Sequence, residues 1–449
     1  MITFNPRQAC LWIHRYTGLV MAGFLLLAGL TGALLAFHHE LDDLFNHKLA
    51  RVEAQNTPIQ SVAALHDSVI RTYPQYGFSS LPTTIEAGKS AVFSVDRWRG
   101  GKPTTPEPAF NEVYVDPHTG DIIGTRNKDT WPLHNTMWKV LWLHRDLLLG
   151  DIGKWVLGVV SLVWTINCFI GFYLTFPRAV KSSQSKQVSS KKRASLFKRW
   201  LPAWKIRTKT NTFKLNYDLH HAFGLWLWVM LFVIAWSSVG FNLKPVYQPV
   251  MQAVVGLESP KFWPRSNQQA AASRETDTTM RDLKVGTAYL TNDQPVLAQS
   301  GQNNKGYAVT KANSIDYLIA QADIAAQQNG VSMQQPLGVR WVEEDKQWQV
   351  RFKTNKDIGK KGGASSITVD AATGEVARVH FGYQNTVGNK IDQWLSTLHM
   401  GHIGHGWGHR LYQVFLAMIG LAVSILSVTG VYLWWKGRQQ RLKSLQKLI

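Results

Sequence analysis

Four histidines of this chain stand at the ends of long apolar runs, and their type and spacing suit ligation of a metal or cofactor. His14 and His220 each begin the pattern His-x-x-x-Gly, in HRYTG and HHAFG, at the entrance of an apolar run. His144, in WLHRDLLLGDIG, and His399, in TLHMGHIGHGWG, precede two further runs. A polar ring at membrane depth needs a partner or a cavity, so these four positions are the candidates for chemistry.

The two His-x-x-x-Gly patterns predict a pair of axial ligands. Neutral imidazoles of His14 and His220, pointing inward from opposite helices, would form an axial pair for a haem iron. Gly18 and Gly224 lie four residues further on, on the same helix faces, and would leave room for a flat macrocycle. The alternative is that each motif only permits close helix packing, with the imidazole reaching toward water. Two symmetric copies and a second pair favour the haem hypothesis.

The second pair is His144 and His399, which we place at the external ends of the second and fourth spans. One pair near each membrane face would put two haems in series, which is an electron path. The chain has no Cys-x-x-Cys-His, so these haems would be held without covalent attachment. Arg15 and Arg145 directly follow two of the four histidines and fit two roles equally, partners of haem propionates or interfacial anchors.

Other histidines compete for these roles. His221 is a rival to His220, but only His220 has the glycine spacing. His38 and His39 end the first apolar run and have no counterpart in the third. The glycine-rich run that follows His399 predicts no regular helix until after Gly408. It holds three more histidines that could replace His399 or form a separate metal site: His402, His405 and His409.

Four stretches lack charged side chains for long enough to cross a hydrocarbon layer of about 30 Å. They are Tyr16 to Phe37, Trp155 to Phe176, Ala222 to Leu243 and Leu411 to Trp435. The first is followed by HHELDDLF rather than by a small-residue cleavage site, so we expect it to remain as a helix.

The basic residues predict the orientation of these spans. The net charge is +20, and residues 178–217 hold 12 Lys or Arg and no acidic residue. Five more basic residues follow Trp435. By the positive-inside pattern, both termini and this basic loop are cytoplasmic, and the segments 38–154 and 244–410 lie outside. The charge therefore fits a bilayer with anionic lipids and gives no reason to expect a nucleic-acid partner.

The chain contains an internal repeat. EVYVDPHTGDIIGTR at 112–126 and SITVDAATGEVARVH at 366–380 both alternate apolar and polar residues around Asp-x-x-Thr-Gly, which predicts the same β-hairpin twice. A helix-like stretch precedes each hairpin, so each external segment is predicted to be a small α+β domain. His144 follows Asp116 by 28 residues and His399 follows Asp370 by 29. The plan is a duplicated helix, external domain, helix unit.

These hairpins, with HRYTG, WLHR and TLHMGH framing four spans, resemble the PepSY-associated transmembrane proteins over nearly the whole chain. The resemblance implies an α-helical membrane protein with four transmembrane helices and two periplasmic α+β PepSY-like domains, in the bacterial inner membrane. Several members of that family take part in bacterial iron uptake, including ferric-siderophore reductases with two b-type haems. For this chain it implies a di-haem oxidoreductase that reduces a periplasmic ferric-siderophore and releases ferrous iron. The electron donor would be a membrane quinol or a cytoplasmic reductant.

This interpretation divides the chain into eight segments. They are the N-terminus and first span at 1–38, the first periplasmic domain at 39–143, the second span at 144–177, the basic loop at 178–219, the third span at 220–243, the second periplasmic domain at 244–398, the fourth span at 399–436 and the tail at 437–449.

Two rival functions remain at this point. One is a non-redox membrane-anchored protein whose external domains bind or restrain a periplasmic partner such as a protease, which requires no cofactor. The other is a metal-binding permease that uses the histidines between His399 and His409, which gives no reason for His14 and His220.

Overall fold

A computed structural model describes residues 5–53, 55, 57–99, 102–178, 195–258, 315–342, 345–359, 363–404 and 406–446. The chain divides into two compact units. The helical unit comprises Met1–His38, Met137–Val254 and Leu398–Ile449. The sheet unit comprises His39–Thr136 and Val255–Thr397.

The helices and strands alternate along the chain as the repeat predicts. The helices are α1 (Pro6–Leu35), α2 (His38–Phe45), α3 (His47–Ala50), α4 (Val62–Thr72), α5 (Thr136–Asp146), α6 (Gly150–Thr175), α7 (Leu196–Trp200), α8 (Thr212–Trp226), α9 (Trp228–Asn242), α10 (Lys244–Val255), α11 (Ile315–Gln328), α12 (Val387–Met400) and α13 (Gly406–Gln446). The strands are β1 (Ser80–Leu81), β2 (Ala91–Ser94), β3 (Trp98–Arg99), β4 (Lys102–Pro103), β5 (Glu112–Val115), β6 (Ile122–Arg126), β7 (Met333–Val342), β8 (Gln347–Thr354), β9 (Ser365–Asp370) and β10 (Val376–His380).

Three helices of the helical unit, α1, α6 and α13, are long and apolar enough to cross a membrane. They contain the first, second and fourth predicted spans. The third predicted span, Ala222 to Leu243, is not one straight helix, because α8 and α9 meet at Leu227 with a bend of 71°. They are apolar and long enough for a span only when taken together. Gly224 lies three residues before Leu227, in the last turn of α8, but a single glycine in an apolar helix does not by itself predict a break.

Small residues allow α1 and α13 to approach closely. A Cβ atom added at Gly29 would lie 2.6 Å from the carbonyl oxygen of Gly420, and one added at Gly420 would lie 2.5 Å from that of Gly29. Helices in lipid gain no hydrophobic free energy by associating, so contact through small residues and dispersion drives such packing. Gly158 of α6 likewise allows a close approach to the end of α9, because an added Cβ would lie 3.0 Å from the Cβ of Leu243.

The sheet unit contains one eight-stranded antiparallel sheet in the order β10-β9-β8-β7-β1-β2-β5-β6. The first external segment supplies β1, β2, β5 and β6, and the second supplies β7 to β10. The two sets join where β1 pairs with β7, with Ser80 opposite Arg340 and Leu81 opposite Val339. The sequence predicted two separate domains, whereas the structure merges their strands into one sheet, because the short β1 can pair on both sides.

The core of the sheet unit lies on one face of this sheet. Leu65 and Val69 of α4 and Leu318 of α11 are fully buried there against strand residues. The strand residues alternate as expected for a sheet with one buried face, with Val350 and Ile367 pointing into the core.

A polar network covers the opposite face of the first half of the sheet. Arg126 of β6 is 1% exposed and donates hydrogen bonds of 2.7 and 2.8 Å to the two carboxylate oxygens of Asp42 in α2. It also donates to the side-chain oxygen of Asn135, at 2.8 Å, and to the backbone oxygen of His134. Burial of an arginine is tolerated here because its charge is paired and its donors are satisfied.

The contact between α1 and α13 generates a first prediction. Replacing Gly29 by Leu forces a side chain into the backbone of α13, so we expect a loss of roughly 1–3 kcal/mol of stability, the usual cost of overpacking. The measurement is thermal unfolding of the purified protein followed by tryptophan fluorescence. Gly23→Leu is the matched control, because a Cβ at Gly23 meets no atom within 4 Å. Equal melting temperatures for the two variants would show that the contact does not stabilise the protein.

Two neighbouring groups of α4 predict opposite pH dependences of stability. Burial lowers the pKa of His66 to about 4, while its Nε2 atom donates to the backbone oxygen of Phe78 at 3.0 Å. Burial also raises the pKa of Asp67 to about 6, against the opposing effect of Arg71. As the pH falls from about 6.5 to 4, the unfolded chain protonates His66 first, so unfolding becomes easier by up to about 3 kcal/mol. Asp67 protonates first in the folded state, so it offsets part of this loss as the pH falls through 6.

We therefore expect His66→Gln to make the protein less sensitive to acid and Asp67→Asn to make it more sensitive. Glutamine retains a nitrogen donor for Phe78 but does not titrate. Melting temperatures at pH 7.5 and pH 5, compared with those of the unmodified protein, test both changes. A shift of the same sign in both variants would contradict the assignment.

Candidate functional site

The helical unit brings the four predicted histidines together as two pairs. His14 of α1 faces His220 of α8, with ring centres 6.3 Å apart and ring planes at 71°. His144 of α5 faces His399 of α12, with ring centres 6.3 Å apart and planes at 76°. We call these the first and the second pair. Members of each pair come from different copies of the repeat, as the symmetry of the sequence predicts.

An iron ion between the two rings fits this separation. A first-row metal binds an imidazole nitrogen at about 2.0–2.1 Å, so the two ligand nitrogens lie about 4 Å apart. Adding roughly 1.1 Å from nitrogen to ring centre on each side gives about 6.2 Å between the centres of two axial imidazoles.

Hydrogen bonds determine the tautomer of the second pair. The Nδ1 atom of His144 lies 2.9 Å from the hydroxyl oxygen of Thr31, and that of His399 lies 2.7 Å from the hydroxyl oxygen of Ser237. Both hydroxyls already donate to backbone oxygens of their own helices, at 2.7 Å in each case. They therefore accept from the histidines, so each histidine carries its proton on Nδ1 and presents the lone pair of Nε2.

The first pair is held in the same tautomer by different partners. The Nδ1 atom of His14 lies 3.0 Å from the Oδ1 atom of Asn167, whose Nδ2 atom donates to Thr17 and to a backbone oxygen. The Nδ1 atom of His220 lies 3.1 Å from the backbone oxygen of Leu426, which can only accept. All four imidazoles are therefore prepared to ligate a metal through Nε2, with the second hydrogen bond that metal-binding histidines usually have.

Glycines lie against three of the four rings. A Cβ atom added at Gly32, Gly171 or Gly430 would lie 3.1–3.2 Å from the Cε1 atom of His144, His14 or His220, respectively. These glycines let the helix backbone lie beside the imidazole and restrict its rotation. By contrast, a Cβ at Gly18 or Gly224 would meet no atom within 4 Å, so the described chain leaves open space at the two positions where the sequence predicts room for a macrocycle.

The histidines of the second pair lie on the short helices α5 and α12 rather than on α6 and α13. His144 is near the end of α5, and the chain then turns through Leu147 and Leu148, both with positive φ, to Gly150, the first residue of α6, which also has positive φ. Gly153 is required at this turn, because a Cβ there would lie 1.6 Å from the backbone oxygen of Asp146. His399 is near the end of α12 and precedes a comparable turn.

The glycine-rich turn after α12 differs from the prediction at one point. Gly401, Gly404 and Gly406 have positive φ, but α13 begins at Gly406 and not after Gly408. Glycine at the first helical positions is tolerated because the backbone hydrogen bonds of a helix begin only after its first turn.

The rival histidines lie in other surroundings. The ring of His221 stacks on Tyr217 at 4.0 Å, and the ring of His38 makes an edge contact with Trp138 at 5.5 Å. The Nδ1 atom of His409 hydrogen-bonds to the backbone oxygen of Ile403 at 3.0 Å. His405 lies outside the described residues. Among the described residues, no three His, Cys, Asp or Glu side chains are grouped so as to hold a metal ion.

The sequence analysis did not identify the groups that form hydrogen bonds with the four histidines. Thr31 follows His14 by 17 residues and Ser237 follows His220 by 17, so the repeat contains a signal for both hydroxyls. No such signal exists for Asn167, whose counterpart is the backbone oxygen of Leu426. Arg145 forms an ion pair of 2.7 Å with the neighbouring Asp146, which engages one of the two arginines considered as propionate partners.

Comparison with known proteins agrees with this arrangement at the level of the family. The profile of the PepSY-associated TM region matches residues 11–437, which is nearly the whole chain. No curated protein matches the sequence.

The hydrogen bond from His399 to Ser237 generates a prediction for cofactor retention. Ser237→Ala removes the acceptor that orients the ring, and loss of such a partner typically weakens metal binding about 10–100-fold. The measurement is titration of the haem-depleted protein with hemin, followed by the Soret absorbance. Ser238→Ala is the matched control, because that hydroxyl bonds only to the backbone oxygen of Ile234, at 2.7 Å. Equal hemin affinity in the two variants would contradict a ligand role for the second pair.

Proposed function

This chain belongs to the PepSY-associated TM family, and we propose that it is an inner-membrane b-type di-haem oxidoreductase. It would pass electrons across the membrane to a periplasmic ferric-siderophore and release ferrous iron. The observation that carries the proposal is the pair of bis-histidine arrangements, each with ring centres 6.3 Å apart and with Nε2 available on every ring.

The proposed topology has four spans and two PepSY-like halves. The bent pair α8 and α9 counts as the third span, beside α1, α6 and α13. The two halves of the eight-stranded sheet are the two periplasmic domains, joined edge to edge. By the positive-inside pattern, the basic residues at 178–217 and after Trp435 favour a cytoplasmic location for both termini. His14 and His220 then hold the inner haem, and His144 and His399 hold the outer haem.

The protein supplies ligation, orientation and a dry environment for this reaction. Haem iron takes up and releases single electrons between its ferric and ferrous states. Thr31, Ser237, Asn167 and the backbone of α13 hold the imidazole rings in position, so no ring has to turn when the charge at its metal changes. The substrate loses its iron after reduction because hard oxygen chelators hold ferrous iron less tightly than ferric iron. A membrane quinol or a cytoplasmic reductant would supply the electrons.

Absorption spectroscopy of the detergent-purified protein from haem-replete cells tests this proposal. We expect a Soret band, sharp α and β bands after reduction with dithionite, and nearly two haems per chain. Alanine at His14, His220, His144 or His399 should each remove about one haem. The reduced protein should be reoxidised by a ferric siderophore and should yield ferrous iron.

His221→Ala and His409→Ala are the matched controls and should retain both haems. A colourless protein would exclude the reductase and leave a membrane anchor whose external domains bind a periplasmic partner. A haem protein whose reduced form ferric siderophores do not reoxidise would keep the two sites and exclude the substrate.

A further inference from the structure

Residues 195–205, within the basic loop, form a short segment that packs against the end of α6. They comprise α7 and a 3-10 turn at Leu201–Trp204, and we call them the α7 segment. The ring of Trp200 stacks on that of Phe176, with ring centres 4.7 Å apart and planes at 20°. The indole nitrogen of Trp200 also donates to the hydroxyl oxygen of Thr175 at 3.1 Å. These contacts hold the α7 segment at the end of an apolar helix.

A second contact connects the α7 segment to the bend between α8 and α9. Trp226, the last residue of α8, donates through its indole nitrogen to the backbone oxygen of Trp204 at 3.2 Å. The rings of Trp228, the first residue of α9, and Phe172 of α6 have centres 4.9 Å apart. The α7 segment therefore lies where α6 ends and α9 begins. In a membrane protein, apolar helices end at the boundary between hydrocarbon and headgroups, where tryptophan is enriched.

The α7 segment exposes apolar side chains beside basic ones. Leu196 and Phe197 are 65% and 64% exposed. Lys198 and Arg199 follow them directly and are also exposed. Large apolar side chains at the edge of a bilayer gain free energy by entering the acyl chains, whereas neighbouring cations stay at the level of the headgroups.

The charges of these two cations are not neutralised by nearby acids. Residues 178–217 contain no acidic residue, and within the described chain neither Lys198 nor Arg199 forms an ion pair. Arg199 donates from one nitrogen to a backbone oxygen, which leaves further N–H groups of its guanidinium available. Asp218, the acidic residue nearest in sequence, is buried and accepts hydrogen bonds of 2.6 and 2.7 Å from Arg207.

We propose that the α7 segment binds the headgroups of anionic phospholipids at the membrane surface. Its two apolar side chains enter the acyl chains, and Lys198 and Arg199 contact lipid phosphates. A guanidinium binds phosphate through paired, charge-assisted hydrogen bonds, and an ammonium binds it as a point charge. The partner is a lipid rather than a soluble anion, because the apolar side chains lie directly beside the cations. The site is separate from the histidine pairs and does not depend on the redox proposal.

Lipid-specific quenching of a fluorescent label tests this contact in the full-length protein. A bimane label is attached at Thr208→Cys, an exposed position three residues after the α7 segment, in a Cys10→Ser, Cys168→Ser background. The protein is placed in phosphatidylcholine nanodiscs with a minor fraction of lipid that carries a nitroxide on its acyl chain. This labelled lipid is either phosphatidylglycerol or phosphatidylcholine. We expect labelled phosphatidylglycerol to quench at least about twofold more, because basic residues enrich anionic lipid around them.

Two double variants separate the roles of charge and apolar surface. Lys198→Gln, Arg199→Gln should reduce quenching by phosphatidylglycerol to the level of phosphatidylcholine, because it removes both cations. Leu196→Ser, Phe197→Ser should reduce quenching by both labelled lipids, because the segment loses its apolar contact with the acyl chains. All four side chains are exposed, so neither variant disturbs the core.

Arg441→Gln, Lys443→Gln is the matched control. It removes the same charge from the exposed end of α13 and should leave the lipid preference unchanged. The proposal is wrong if both labelled lipids quench the labelled parent protein equally, or if Lys198→Gln, Arg199→Gln keeps the preference. Loss of the preference in the control would also contradict it, because this would indicate a general effect of net charge.

Discussion

The helical unit depends on the hydrogen bonds that four half-buried imidazoles donate to neighbouring helices. A histidine that is neutral inside an apolar helix bundle has one N–H group and one lone pair, and leaving the N–H unpaired there is costly. Here the N–H of each ring is satisfied by a neighbouring helix, through Thr31, Ser237, Asn167 or the backbone at Leu426. The lone pairs are then all on Nε2. The hydrogen bonds that connect the helices therefore also determine that each ring presents Nε2 as a possible metal ligand.

Interruptions in the helices contribute to these positions. The chain leaves regular helical conformation at Leu227, between α5 and α6, and between α12 and α13. The histidines of the second pair lie on the short helices α5 and α12, which precede α6 and α13. A residue in left-handed conformation costs roughly 1–2 kcal/mol when it is not glycine, so Leu147 and Leu148 indicate that the surrounding packing imposes this turn.

Duplication explains the symmetry of the molecule and also its asymmetry. Both pairs combine one ligand from each copy, and both halves of the sheet have the same strand order around the junction of β1 and β7. The two copies differ on the face of the sheet opposite the core, where α2 packs against the first half. Arg126 is buried and paired with Asp42 of α2, whereas the corresponding residue of the second half is His380.

Much of this organisation follows from the sequence alone. Long runs without charge have to lie in lipid or in a core, and the repeat of Asp-x-x-Thr-Gly predicts two similar hairpins, so the long apolar helices, the two hairpins and the pairing of His14 with His220 and His144 with His399 could be predicted. The break at Leu227, the union of the two halves through β1 and the role of Asn167 could not. Each depends on contacts between residues that are distant in the chain. Residue type and spacing do not predict which distant group a side chain will contact. Local periodicity therefore determined the elements and the candidate ligands, and the tertiary structure decided which hydrogen bonds hold them in place.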